Sequence, residues 1–399
     1  MARCAGELPK GQRITDYISF GVIEKTFPLK KVKEVLERTG RASQRERDLP
    51  AHVMVYYAIA LALYMGASYR EVLRCLLSAF WWLRGSVERV KIVGKSGISQ
   101  ARSRLGYIPV KALHDELVKP IATFETKGAW YRGWRLVSLD GSTMDVADTV
   151  RNSQAFGRAK AGRGKTAYPQ LRYVSLAEGG THVLFGTKLG PYATSEMALA
   201  KEVVTHLKAG MLCLADRYFF GFELWQKARA TGAELLWRVK TNHVLLPHKR
   251  FKDGSFLSKV YPSLSDRRRG RNGVIVRVIE YKLEGVEDAQ PFYRVITTIL
   301  DPQQAPAAEL AALYIERWEI ETAFDELKTH MRGSRVVLRS KTPDLVRQEF
   351  YGFLMAHFAV RGLMHEAALK EGIDPDRLSF IHSVRVLRRK LPQFVAIPP

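Results

Sequence analysis

Cysteine is nearly absent from the 399 residues: Cys4, Cys75 and Cys213 lie far apart, and no C-x-x-C pair occurs. That excludes a disulfide framework and a cysteine-based zinc site. The ten histidines show no ligand spacing such as H-E-x-x-H and receive no role. Long apolar runs are also missing. The start, MARCAGELPKGQR, carries no apolar segment of signal type, and Val53 to Met65 is too short to span a bilayer before it runs into SYREVLR. That stretch reads as a core helix, so a soluble, cytoplasmic protein without a membrane partner is expected. Acid is scarce relative to base: 40 Asp+Glu stand against 63 Lys+Arg, a formal net charge of +23. The excess runs along the whole chain, which makes a polyanion the expected partner, nucleic acid ahead of an anionic membrane. No internal repeat or low-complexity tract interrupts the sequence.

What is present centres on Pro306 to Arg332, PAAELAALYIERWEIETAFDELKTHMR. Pro306 suits a first-turn position, the run is rich in Ala, Leu and Glu, and Gly333 ends it, so one long helix is predicted. At ~100° per residue, Leu310, Leu313, Ile320, Phe324, Leu327 and Met331 form one apolar stripe that must face a core. Tyr314, Arg317, Glu321 and Lys328 form a second stripe beside it, while Glu319 points well away from Glu321. Arg317–Glu321 read alone is equally an (i, i+4) pair on a solvated face. Trp318 lies off both stripes, and packing on neighbouring β-structure is favoured over stacking on DNA.

Residues 1–125 read as a helical domain. Pro28 opens LKKVKEVLERTG, Pro50 opens AHVMVYYAIALALYMG, and Ser68 is an N-cap candidate for the next helix. Ser96 could cap a short basic helix, GISQARSRLG, and Pro109 to Phe124 reads as another. Two helices followed by one carrying Gln100, Arg102 and Arg104 suit either a helix-turn-helix that reads DNA or a plain bundle with a basic face. From Trp134 the pattern turns extended. RLVSLD ends on Asp140, a hairpin follows around Gly179-Gly180, Ser195 to Leu207 is helical, and the apolar MLCLAD ends on Asp216. A helix from about Phe222 to Ala230 leads to a further strand, ELLWRVK. Both Asp residues fall at carboxyl ends of strands, where open α/β sheets place their sites. Residues 241–300 hold β-like runs, GVIVRVIEYKL and FYRVITTIL, with the basic DRRRGRNG ahead of them, and read as a β-rich insertion without a strong helix. Arg267 to Arg271 could track a phosphate backbone or simply be a solvated tip. Residues 336–399 return to helix.

The spacing Tyr314-x2-Arg317-x3-Glu321-x6-Lys328 resembles the Y-R-E-K signature of the insertion sequence 4 family of DDE transposases. Asp140 in SLDGSTMDV and Asp216 in LADRYFFG, followed by Arg217, match the two aspartates such a site needs. NSQAFG, Pro169-Gln170, WRVK at Trp237 and SKTPDLVRQEFYG look like the same family, and the likeness covers nearly the whole chain. It implies an α/β fold: a ribonuclease H-like catalytic core (126–240 and 301–335) with a β-rich insertion (241–300), flanked by helical N- and C-terminal domains. It further implies a DNA transposase that binds terminal inverted repeats, cleaves the DNA ends and joins them to target DNA.

Three carboxylates brought together repel unless cations sit between them, so Asp140, Asp216 and Glu321 would hold two Mg²⁺ (or Mn²⁺) ions. By the same resemblance Asp140 bridges the metals, Arg317 and Lys328 neutralise phosphates, and Tyr314 bonds a backbone phosphate. Arg217, Arg238 and Lys240 join Gln100, Arg102 and Arg104 as expected DNA contacts. The expected partners are double-stranded DNA, as transposon ends and target, and a second copy in a homodimer. A non-catalytic DNA-binding inhibitor of transposition is the alternative. Asp145 and Asp148 compete with Asp140 but follow the strand. AKAGRGKT at Ala159 to Thr166 fits a relaxed Walker A pattern, yet its flanks read loop then strand, the reverse of a phosphate loop, so no nucleotide is expected there.

Overall fold

The structure, a computed structural model, describes residues 15–45, 48–83, 93–161, 164–165, 167–282, 292–331 and 337–389. The chain forms two compact units: Met1–Ile121, Met144–Gln170 and Asp325–Pro399 make the first, Ala122–Thr143 and Leu171–Phe324 the second. Among the described residues no helix is long and apolar enough to cross a membrane.

The first unit is built on two apolar helices. Ala51–Leu63, opened by Pro50, is buried at every position from Val53 to Leu63. It packs against Pro343–Glu371, where Gly352 permits close approach: a Cβ there would lie 2.3 Å from the Ala58 carbonyl oxygen. Gly352→Ala is therefore expected to push the helices apart and cost about 1–3 kcal/mol, read as a lower denaturant midpoint with the slope unchanged. Tyr56 and Tyr57 satisfy their buried hydroxyls by donating to the carbonyls of Phe27 (2.7 Å) and Tyr69 (3.1 Å).

Helix starts follow local chemistry, with two departures from the sequence reading. Ser68 Oγ accepts from Glu71 N–H at 3.2 Å as expected, but Lys95–Leu105 begins after Gly94, which leaves Ser96 inside its first turn. RNSQAFGR, read as loop-like, contributes to a helix, Val150–Phe156, because Thr149 Oγ1 accepts from Asn152 N–H at 3.2 Å.

The strands in chain order are β1 (Trp130–Tyr131), β2 (Trp134–Asp145), β3 (Lys160–Ala161), β4 (Gly164–Lys165), β5 (Gln170–Glu178) and β6 (Leu184–Pro191). Then come β7 (Met211–Ala215), β8 (Glu234–Arg238), β9 (Lys249–Arg250), β10 (Phe256–Val260), β11 (Val274–Tyr281) and β12 (Tyr293–Thr297). The β3–β4 pair is the Walker-like stretch, antiparallel strand where a phosphate loop needs a helix. The main sheet runs β6-β5-β2-β7-β8-β12-β11-β10-β9, with β1 on β2.

Its first five strands, numbered along the chain, stand in the order 3-2-1-4-5, with β5–β6 antiparallel and β2, β7 and β8 mutually parallel. This is a ribonuclease H-like α/β core. All five residues of β7 are buried, as a parallel strand covered on both faces requires. Leu212 and Leu214 share a core with Leu310 and Tyr314 of the signature segment.

The stretch read as an insertion continues this same sheet. β12 pairs antiparallel with β8 through Val295↔Arg238, Ile296↔Trp237 and Thr297↔Leu236. Two of its strands, β9 and β10, escaped the sequence reading, and DRRRGRNG does not simply bridge two strands. Leu264–Arg269 is a short helix in which Ser263 Oγ accepts from Asp266 N–H at 3.0 Å, and Gly270 ends it at φ 63°.

Candidate active site

The signature segment is not one regular helix. Ala307–Leu313 is α, Tyr314–Trp318 tightens to 3₁₀, Glu319–Asp325 is α and Glu326–Met331 widens to π. The expected stop at Gly333 lies outside the described residues. In a 3₁₀ turn, side chains at i and i+3 eclipse, so Tyr314 and Arg317 share one direction. That direction is inward: each is 5% exposed. The apolar stripe is buried at Leu310, Ile320, Phe324, Leu327 and Met331, as the periodicity required. Trp318, for which packing was favoured, is instead 56% exposed, with the Arg317 guanidinium 4.8 Å from its ring centroid.

The start of this segment is braced by β11 and the turn just before β10. Buried Arg277 donates to the Ala305 carbonyl (2.6 Å), the Ser255 hydroxyl (2.8 Å) and the Asp253 carboxylate (2.6 Å). Asp253 in turn accepts from Ala307 N–H at 3.1 Å, and thereby caps the helix that leads to the signature residues.

Asp140 does not end its strand, since β2 runs on to Asp145. What ends there is the pairing. The parallel ladder closes at Leu139↔Ala215, so Asp140 and Asp216 are the next residues on neighbouring strands. Tyr314 fixes this edge by donating its hydroxyl to the Ala215 carbonyl at 3.2 Å. Arg317 joins the third carboxylate to the first: its guanidinium lies 3.4 Å from Asp140 Oδ2 and 3.1 Å from Glu321 Oε1. Asp216 has Arg238 at 4.0 Å, and Arg238 rests 4.7 Å from the Tyr293 ring centroid. Asp140, Asp216 and Glu321 thus gather around two guanidiniums in the second unit.

A fourth carboxylate, Glu196, was missed. A Cβ on Gly141 would come within 2.8 Å of its side chain, which places Glu196 against the residue that follows Asp140. The available signal was the Ser195 cap, whose Oγ accepts from Ala198 N–H at 3.2 Å and places Glu196 in the first turn. Glu319 was also undervalued. Its carboxylate accepts from Gly180 N–H at 2.6 Å, which ties the signature segment to the β5–β6 turn.

Of the expected DNA contacts, Arg217 and Lys240 are exposed and Arg238 is half-buried in the second unit; Gln100 and Arg104 are exposed in the first, where Lys328 is half-buried. Arg102 is a correction. It is 3% exposed and donates to Gln348 Oε1 (2.8 Å), Ser340 Oγ (2.9 Å) and the Leu345 carbonyl (3.2 Å), a structural tie inside the first unit. Tyr314 also departs from the expectation, because it is 5% exposed and donates its hydroxyl to the Ala215 carbonyl.

Burial pushes the Asp140 carboxyl up to about 6; the Gly141 N–H and Arg317 oppose that rise, and Glu321 and Glu196 add to it. A carboxyl that burial holds back from ionising is a hard oxygen donor suited to a divalent cation, which would favour its charged form. The residues fit Mg²⁺ or Mn²⁺. A pH dependence follows for the metal-free protein. The folded value lies above the ordinary 3.8, so this contribution to stability is complete below pH 3.8 and is lost as pH rises through about 6. The loss is roughly 3 kcal/mol. Asp140→Asn should flatten the stability profile between those pH values and melt higher than wild type at neutral pH without metal.

The profile of the family described as "Insertion element 4 transposase N-terminal" matches residues 17–115, and that of "Transposase DDE domain" matches residues 133–359. The chain is 27% identical over 366 residues to the transposase InsG for insertion sequence element IS4 of Escherichia coli (strain K12), across 90% of this chain and 80% of that protein. The putative transposase InsZ of the same strain is 25% identical over 214 residues, 53% of this chain and 68% of that one. Among solved structures, a piggyBac transposase synaptic complex with hairpin DNA aligns at a TM-score of 0.47 and 11% identity, over 93% of this chain and 79% of that one. With the DDE profile spanning Asp140, Asp216 and Glu321 and more than half of the sequence, the chain belongs to the DDE transposases of the insertion sequence 4 type, metal-dependent enzymes of DNA transposition.

Proposed function

We propose that this transposase binds the terminal inverted repeats of its own insertion sequence, cleaves the DNA ends and joins them to target DNA. Asp140, Asp216 and Glu321 are its catalytic carboxylates, and they would hold two Mg²⁺ or Mn²⁺ ions. The observation that carries this reading is the register of β2 on β7, which sets Asp140 beside Asp216, with Arg317 linking Asp140 to Glu321. When bound, the ion pair lowers the charge on the reacting phosphate and on the attacking and leaving oxygens. The attacking oxygen is water's in the first cut and a DNA 3′-hydroxyl's in strand transfer.

The chain's own groups supply placement. Arg317 holds Asp140 and Glu321 at fixed separation, while Arg238 and the Tyr314–Ala215 bond hold the Asp216 edge. Exposed Arg217 and Lys240 offer charge to the DNA backbone in the same unit, and Lys328, seven residues beyond Glu321, neutralises phosphate. The exposed Gln100 and Arg104 of the first unit contribute to end recognition, and the working form is a homodimer on paired ends.

The test is nicking of DNA that carries the inverted repeats bracketing the gene, with and without Mg²⁺ or Mn²⁺. Metal-dependent cuts at the repeat termini support the proposal. Tight binding to those ends with no cutting under either metal would return the protein to a DNA-binding inhibitor of transposition.

A further inference from the structure

The arginine-rich stretch that the catalytic site leaves unused lies beside a groove. A cavity of about 410 Å³ opens between the Val244–His248 segment, β10 and the Leu264–Arg269 helix, all in the second unit. β10 stands four strands from β7 in the sheet order, about 19 Å at ~4.8 Å per strand, so the cavity is separate from the carboxylates.

Its walls have two characters. Lys259, Arg267 and Arg268 line one part, and among the described residues none of the three makes an ion pair. Asp266, on the same short helix, is engaged by Ser263 and by Asn272 at 2.9 Å. The other part is apolar and open to solvent: Leu246 is 60% exposed and Leu264 72%. On the lining, Ser258 is 1% exposed and its Oγ has no hydrogen-bond partner. Burying a hydroxyl unsatisfied costs free energy, and a ligand atom entering the cavity would recover it. Tyr261 is held as a further wall because residue 273 is glycine; a Cβ there would meet its ring at 2.6 Å.

Cations without partners, an apolar platform and one free hydroxyl in a cavity of ligand size describe a site for a phosphate joined to a flat, hydrophobic group. We propose that this groove binds one nucleotide of a DNA strand, with its phosphate on Lys259, Arg267 and Arg268 and its base against Leu246 and Leu264. The same chemistry would accept a free mononucleotide. The strand is favoured because the groove belongs to a DNA transposase, and its open apolar side leaves room for the chain to continue. The site is unrelated to the Walker-like stretch, which is β3–β4.

The experiment uses the full chain without metal, so that success or failure of catalysis does not enter. A short single-stranded oligodeoxynucleotide carrying 5-iodo-deoxyuridine is bound, irradiated and mapped, and affinity is read by fluorescence anisotropy at fixed salt. Crosslinking to Tyr261 is expected, with affinity reduced about tenfold or more in Arg267→Ala and in Leu246→Asp, both changes at solvent-accessible positions. Circular dichroism and melting should match wild type for both. Unchanged affinity in both variants, with no crosslink to Tyr261, would overturn the proposal. Competition by dAMP as effective as by the oligonucleotide would overturn its assignment to a DNA strand. Full competition by inorganic phosphate, with Leu246→Asp silent, would reduce the groove to a plain anion site.

Discussion

Asp140→Asn, Asp216→Asn and Glu321→Gln are each expected to slow single-turnover cleavage of pre-bound DNA ends by at least about a thousandfold, because each removes a charge proposed to hold metal, worth several kcal/mol in the transition state. End binding should hardly change, since the proposed DNA contacts are cations elsewhere. The variants should differ in stability. Asp140→Asn relieves a carboxyl held up to about 6 by burial and should stabilise the metal-free fold at neutral pH. Glu321, whose side chain is 45% exposed, should leave it nearly unchanged. Any one of the three that cuts at a near-wild-type rate removes that residue from the site.

Arg317→Met should have the next largest effect, and through a different route. The side chain is 6% exposed and lies between Asp140 and Glu321, where it serves as the resident counter-charge of the metal-free cluster. Burial works against its charge, yet Tyr314, Asp140, Glu321 and Asp216 together hold its pKa above the ordinary value. Removing one partner of a buried ion pair typically costs about 3 kcal/mol, and here it leaves two carboxylates facing each other. Saturating Mg²⁺ should restore much of that stability, because cations then replace the lost charge. Cleavage should stay about a hundredfold low even with metal saturating, since the spacing of Asp140 and Glu321 is no longer fixed. A variant that is destabilised but cuts normally once folded would make Arg317 purely structural.

Much of this arrangement was legible in the sequence, for identifiable reasons. MLCLA is apolar at every position, and only a strand covered on both faces tolerates that, so the position of Asp216 just past it could be read directly. The apolar stripe of the signature segment likewise survives as buried side chains. The orientation of Tyr314 and Arg317 could not be read. A wheel at ~100° per residue assumes regular α-helix, and the change to 3₁₀ at Tyr314–Trp318 turns both residues inward. Arg102 shows the same limit from the other side: a cation on a basic helix looks solvated until Gln348 and Ser340, more than two hundred residues away, supply its partners. Glu196 and the Asp253–Arg277 brace are long-range products of the sheet order, which no local spacing announces. The run FLSKV escaped for another reason. Its burial alternates as a strand's should, but five residues next to DRRRGRNG give too short a signal to separate from loop.

The central claim is that Asp140, Asp216 and Glu321 form one metal site. The most direct measurement is a crystal structure grown with Mn²⁺ and bound ends, with manganese located by anomalous scattering. The account predicts two peaks, both within inner-sphere distance of Asp140 oxygens, one also contacting Asp216 and the other Glu321, with the Arg317 guanidinium displaced from at least one carboxylate. Manganese bound elsewhere, with Arg317 still seated between Asp140 and Glu321, would contradict it.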